Sequence, residues 1–154
     1  MLVKNVVRVC LPILGWIRSA YWFAVRPKTF GVKIVLTHHG RVLLVRHTYE
    51  PRAYGLPGGG LRRGEQPIDG ITREAREELG LILSDPRALG TLFSDVEYRK
   101  DMVWVFTAEV DEAVLVPDEW EIAEAIWWDP RTGPSRPIGP MTREILDFFR
   151  HSRI

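Results

Sequence analysis

The stretch Gly58–Leu81, GGGLRRGEQPIDGITREAREELGL, decides how the rest of the chain is read. Three glycines give way to Pro67, a residue favoured in the first turn of a helix, and Ile68, Ile71, Ala75 and Leu79 then recur at three- and four-residue steps. That spacing predicts an amphipathic helix from about Pro67 to Leu79, with Gly80 taking the left-handed conformation beyond its end. On such a helix Glu74, Glu77 and Glu78 stand at i, i+3 and i+4. Their carboxylates project together, on the expected side away from the core, and each like-charge pair costs about 0.2–0.5 kcal/mol. Arg73 pairs with Glu77 at i,i+4 and Arg76 lies on the flank, but two arginines do not neutralise the set. Two readings account for the cluster: a solvated acidic face, or a site for a hard divalent cation such as Mg²⁺, which takes carboxylate oxygens and keeps several waters.

Outward from this helix, 154 residues with 45% apolar and 27% charged content describe an ordinary globular chain. A formal net charge of +1 gives no general electrostatic case for nucleic acid, and no DNA partner is expected. Lys4, Lys28, Lys33 and Lys100 are the only lysines among 21 basic residues, a bias read first as genome composition. The single Cys10 excludes an internal disulfide and Cys-rich zinc ribbons, in keeping with a reducing compartment. Residues 1–30 are apolar but carry Lys4, Arg8, Arg18 and Arg26. They are too interrupted to span a membrane and fit a signal peptide poorly. Val3, Val6, Val7, Cys10, Leu14, Ile17, Tyr21 and Ala24 follow helical steps, which predicts an amphipathic helix kinked near Pro12.

Beyond Arg26-Pro27, VKIVLTHHG and RVLLVRHTY predict two strands joined by a hairpin around His38 to Gly40. LGTLFSDVEY and DMVWVFTAEV predict an antiparallel pair, AIWWD a short strand, and MTREILDFFR a closing amphipathic helix. Strands and helices are mixed without strict alternation, so a mixed sheet flanked by helices suits the chain better than a doubly wound parallel fold. His38, His39 and His47 have no metal-like grouping and are assigned turn or strand roles.

The pattern Gly59, Glu65, Arg73, Glu74, Ala75, Glu77, Glu78, Gly80, Leu81 resembles the Nudix box at every defined position, Ala75 being smaller than the usual aliphatic. Tyr54, Leu56, Pro57, Gly58 and Gly59 before the box, and DEWEIAEAIWW after it, extend the resemblance over about Val32 to Arg150. It implies an α/β fold, the Nudix-type α/β/α sandwich around a mixed β-sheet, over residues 31–154, with the amphipathic helix as an N-terminal extension over 1–30. It also implies a MutT-like pyrophosphohydrolase that uses Mg²⁺ or Mn²⁺ to cleave a phosphoanhydride bond in a nucleoside diphosphate linked to another group. By resemblance Glu74, Glu77 and Glu78 are metal ligands, Glu65 is a ligand or a partner of one, and Arg73 fixes a glutamate. Glu119 and Glu121 are the candidates for fourth ligand and general base, Glu124 being more often structural there and Glu97 an outside choice.

Candidate substrate contacts are Arg46, Arg52, Arg62 and Arg63 as phosphate clamps, Gly58, Gly59 and Gly60 as a close backbone approach, and Tyr54 and Phe93 as base-stacking rings; ordinary solvation, loop shaping and packing are the alternatives. The box names the bond and leaves the leaving group open. Val96, Glu97 and Tyr98 after the box, with no proline, tilt toward dinucleoside polyphosphates and away from ADP-ribose, while nucleoside triphosphates are the broad default and RNA 5′ ends stay open. A rival class is a nucleotide sensor without turnover. The expected location is cytoplasmic; the N-terminal helix, with Trp16 and Trp22, fits either peripheral contact at the inner membrane surface or packing against the core or a second subunit.

Overall fold

The computed structural model describes residues 28–94, 100–111 and 115–151. The elements run β1 (Lys28–His38), β2 (Arg41–His47), α1 (Pro67–Leu79), β3 (Arg87–Ser94), β4 (Lys100–Glu109), β5 (Ile122–Trp128) and α2 (Pro140–His151). The strands form one mixed sheet in the order β3-β4-β1-β2-β5, with β1 and β4 parallel and the other neighbours antiparallel. The N-terminal helix expected over residues 1–30 and the Val96–Tyr98 signal lie outside the described residues, except that Lys28, Thr29 and Phe30 already belong to β1.

Alternation along the strands sorts the apolar side chains onto two faces. Val32, Ile34, Leu36, Leu43, Val45, Phe106 and Ala108 meet Ile71, Ala75 and Leu79 of α1. Val35, Val42, Leu44 and Val105 meet Ile145, Leu146 and Phe149 of α2. One helix per face makes the sandwich. The α1 stripe is one residue shorter than its spacing predicts, because Ile68 sits in the first turn, beyond the sheet, and is exposed.

The hairpin closes through His39 and Gly40, whose φ angles of 48° and 75° suit a two-residue turn with both centres left-handed. From there β1 and β2 diverge. They pair only at Thr37–Val42 and His38–Arg41, whereas β1 follows β4 from Lys28 to Thr37. The segment from Gly55 to Leu61 fills the gap. It exchanges both hydrogen bonds between Gly55 and Val45 on the β2 side, and on the β1 side Ile34, Val32 and Leu61 donate to Pro57, Gly59 and Phe30 carbonyls at 3.1, 2.9 and 2.9 Å. The glycine-rich loop is therefore a wedge in a split sheet.

Close approach sets the sequence of that wedge. Gly58 has φ 121°, and a Cβ there would run into the Val32 carbonyl oxygen. A Cβ on Gly60 would meet nothing within 4 Å. Gly58→Ala is thus expected to destabilise the fold by about 2 kcal/mol or more, while Gly60→Ala stays within about 0.5 kcal/mol of wild type. Urea unfolding of the two variants checks this; equal losses would contradict the wedge.

Candidate active site

Helix α1 lies across the split, which buries part of its acidic face. Glu78 is only 3% and Glu74 only 8% exposed, and Glu77 alone of the three is open to solvent. The expectation that the whole cluster faces away from the core is therefore corrected. Full burial of Ile71 and Leu79 contributes about 1.5–3 kcal/mol each, enough to dock the helix despite the cost of taking carboxylates out of water, provided those carboxylates find partners.

Arg73 supplies most of them. Its Nε and Nη2 donate to the two oxygens of Glu65 at 2.8 and 2.9 Å, its Nη1 to Glu74 Oε1 at 2.7 Å and Glu77 Oε2 at 2.9 Å, and its Nη2 also to the Gly60 carbonyl at 3.0 Å. One planar fork thus ties three carboxylates and the wedge together. Glu65 also accepts from the Arg62 N–H at 2.8 Å. These hydrogen bonds, Arg73 first, hold its carboxyl down to about 2 and push the Arg73 guanidinium up. Gly59 leaves room for Glu74, since a Cβ there would come within 2.7 Å of its Oε1.

Glu78 is held differently. Its Oε2 accepts from the Gly58 N–H at 2.8 Å, and the partly buried Lys33 Nζ donates to the Leu56 and Gly58 carbonyls at 2.8 and 2.5 Å in the same pocket. Burial raises the Glu78 pKa against the pull of Lys33 and the Gly58 N–H, and burial lowers that of Lys33 against the pull of Glu78 and Glu74. His47 is 6% exposed, with Nδ1 3.8 Å from Glu78 Oε1; burial, and then the Lys33 charge, lower its pKa to about 4. Tyr49 stacks on His47 at 4.9 Å with planes 17° apart and is otherwise 74% exposed. Lost hydration, then the fields of Glu78, Glu121 and Glu74, push its phenol up to about 12.

Glu65, Arg73, Glu74, Glu77, Glu78, Gly58 and Gly59 come together as one group, and the Arg62 guanidinium joins it by donating to Glu77 at 3.0 Å. Glu119 and Glu121 sit exposed in the turn before β5, which is tied to β2 because Thr48 donates to the carbonyls of Glu121 and Trp120. The field of Glu121 reaches both Glu78 and Tyr49. Arg46 goes elsewhere. It is bound to Glu124 at 3.0 Å and follows Val42 and Leu44, whose side chains lie on the α2 face. Tyr54 has no ring face to offer a base; it is 1% exposed in the α2-side core, with its hydroxyl 3.0 Å from Ser135. Arg52, Arg63 and Phe93 are exposed. Lys33 and Tyr49 are site neighbours that the sequence did not single out, and His47, given a turn or strand role there, is a third; in Lys33 a lone charge within an apolar strand was the available signal.

Among the described residues no three carboxylate, imidazole or thiol groups are gathered into a ready coordination sphere. The donor set nevertheless suits a hard cation: glutamate oxygens only, two of the side chains largely buried, with Glu78 Oε1 left over once Oε2 has taken the Gly58 N–H. No helix among the described residues is long and apolar enough to cross a membrane.

A family model for the NUDIX domain matches residues 25–148, and the chain belongs to this family, the Nudix hydrolases. Members generally use divalent metal ions. The NAD-capped RNA hydrolase NudC of Vibrio atlanticus (strain LGP32) is 27% identical over 124 residues, covering 79% of this chain and 45% of that protein. The RNA pyrophosphohydrolase of Halorhodospira halophila is 39% identical over 66 residues, covering 43% of this chain and 36% of its own. The chain thus spans less than half the length of these relatives. Among solved structures, the MutT protein from Methanosarcina mazei Go1 superposes with a TM-score of 0.70 at 22% identity, covering 84% of this chain and 99% of that one. The NUDIX domain of Shewanella oneidensis NrtR, complexed with ADP ribose, gives 0.72 at 18% identity, covering 85% and 92%. These likenesses establish the fold.

The Arg73 fork makes an acid-limb prediction. The folded carboxyl of Glu65 titrates near 2 against an ordinary 4.5, so its contribution to stability is present above pH 4.5 and disappears as the pH falls toward 2. Glu65→Gln is expected to flatten the loss of stability between pH 4.5 and 2 relative to wild type. Equal slopes in urea melts across that window would contradict the assignment.

Proposed function

We propose that the chain hydrolyses a phosphoanhydride bond in a nucleoside diphosphate linked to a further group, with Mg²⁺ or Mn²⁺ as the cofactor. The observation that carries this is the buried Glu78 carboxylate, fixed on one oxygen by Gly58 and open on the other, beside carboxylates gathered by a single guanidinium. Glu74, Glu77 and Glu78 would hold the ion, with Glu119 as a candidate fourth ligand from the turn before β5. When bound, the ion would supply a more acidic water and offset the negative charge of the phosphate groups as it builds in the transition state.

The protein's own part is positioning. Arg73 keeps Glu74 and Glu77 from swinging into solvent, Glu65 locks Arg73, and Gly58 spends its N–H on Glu78. Glu121, exposed and within electrostatic reach of Glu78, is the candidate base that takes the proton from the attacking water. Arg62, bound to Glu77 at the solvent edge, is the arginine best placed to meet a phosphate. Nucleoside triphosphates and dinucleoside polyphosphates are the favoured substrates. The exposed Tyr49 ring, within the fields of Glu78 and Glu121, gives a base somewhere to lie. The names of the two relatives add RNA and NAD-capped RNA to the substrates to be assayed.

Phosphate and nucleotide release is measured across these substrates with Mg²⁺, Mn²⁺ or EDTA. Turnover is expected with either metal and is abolished by EDTA. Glu78→Gln is expected to lower kcat/KM at least about a hundredfold, the upper end of losses seen for residues outside the coordination sphere. Glu121→Gln should cost more in kcat than Glu119→Gln. Nucleotide binding without turnover under all conditions would replace the hydrolase by a sensor.

A further inference from the structure

Among the described residues, His47 alone has buried side-chain polar atoms with no hydrogen-bond partner, and both of its ring nitrogens are in that condition. The distance of 3.8 Å from Nδ1 to Glu78 Oε1 is too long for a hydrogen bond. Leaving a buried donor or acceptor unpaired costs about 1–3 kcal/mol. Packing gives no reason to accept that cost. The ring lies flat under Tyr49 and near Gly55, whose added Cβ would be 3.9 Å from His47 Cδ2, surroundings that a phenyl ring would fill as well.

The reason for an imidazole must then lie in something its nitrogens meet. Facing its Nδ1 at 3.8 Å is Glu78 Oε1, the carboxylate oxygen left over once Gly58 is satisfied. An ion such as Mg²⁺ or Mn²⁺ keeps several of its waters, and those waters need partners in the protein. Imidazole can both donate to and accept from them. We propose that His47 is a positioning residue of the metal site, hydrogen-bonded through a ring nitrogen to a water carried by the divalent ion that Glu78 holds. This rests on the metal-site reading given above. It adds a residue from the end of β2 to the groups that α1, the wedge and the turn before β5 bring to the site.

Mn²⁺ titration of the full chain by calorimetry, paired with thermal unfolding in EDTA, tests it on wild type, His47→Phe, His47→Gln and Glu78→Gln. His47→Phe removes two unpaired polar atoms and keeps the stack on Tyr49, so its Tm in EDTA should equal or exceed that of wild type. Its Mn²⁺ affinity should nevertheless fall about 10-fold or more. His47→Gln, whose amide donates and accepts, should bind Mn²⁺ close to wild type. A His47→Phe that binds Mn²⁺ as wild type does, or that unfolds or melts earlier in EDTA, overturns the proposal and leaves His47 a structural residue. A wild type whose Mn²⁺ binding is absent, or is unmoved by Glu78→Gln, overturns the metal-site reading itself.

Discussion

The Arg73 guanidinium is the interaction on which the site depends. Three carboxylates lie around it at 2.7 to 2.9 Å, and the Gly60 carbonyl completes the set at 3.0 Å. Each contact does a separate job. Glu65 fixes the plane of the fork, Glu74 and Glu77 are drawn out of mutual repulsion, and Gly60 ties the helix to the loop that wedges the sheet. A lysine would carry the same charge without the planar geometry that makes these contacts simultaneous.

The split between β1 and β2 gives this fork something to hold. Because the strands part beyond the Thr37–Val42 pair, away from the turn, backbone groups of both are free to pair with the segment from Gly55 to Leu61. That pairing places the Gly58 N–H where Glu78 takes it, and the Leu56 and Gly58 carbonyls where Lys33 takes them. Glu78 and Lys33 are each pushed toward neutrality by burial and pulled back toward charge by the other. A dication in such a place would reverse the local balance, turning the crowding of carboxylates from a cost into a source of affinity. Folding and cation binding therefore draw on the same few contacts.

Much of this was legible in the sequence because it is local. Pro67, the Ile71, Ala75 and Leu79 steps and Gly80 define the helix, and the fixed spacing of Glu65 and Arg73 to the glutamates is a pattern within one segment. What depends on distant segments was not legible. Glu74 and Glu78 read as solvent-facing because their burial comes from a loop inserted between two strands. His47 read as a strand residue because Glu78 approaches it from another element. For Tyr54 base stacking and ordinary packing stood level in the sequence, and it is the core beneath α2, built from distant segments, that decides for packing. Glu119 and Glu121 are two residues apart on an exposed turn, and only the coupling of Glu121 to Glu78 and Tyr49 begins to separate them.

In the proposed metal site Arg73 arranges the carboxylates for a cation and does not compete with the cation for them. The direct measurement is the Mn²⁺ dissociation constant of Arg73→Lys against wild type, with the circular dichroism of both showing the same fold. Loss of the fork should weaken Mn²⁺ binding about 10-fold or more, because Glu74 and Glu77 are no longer held in place. Unchanged or tighter binding would mean that the guanidinium merely occupies the cation's place and does not arrange the site for it.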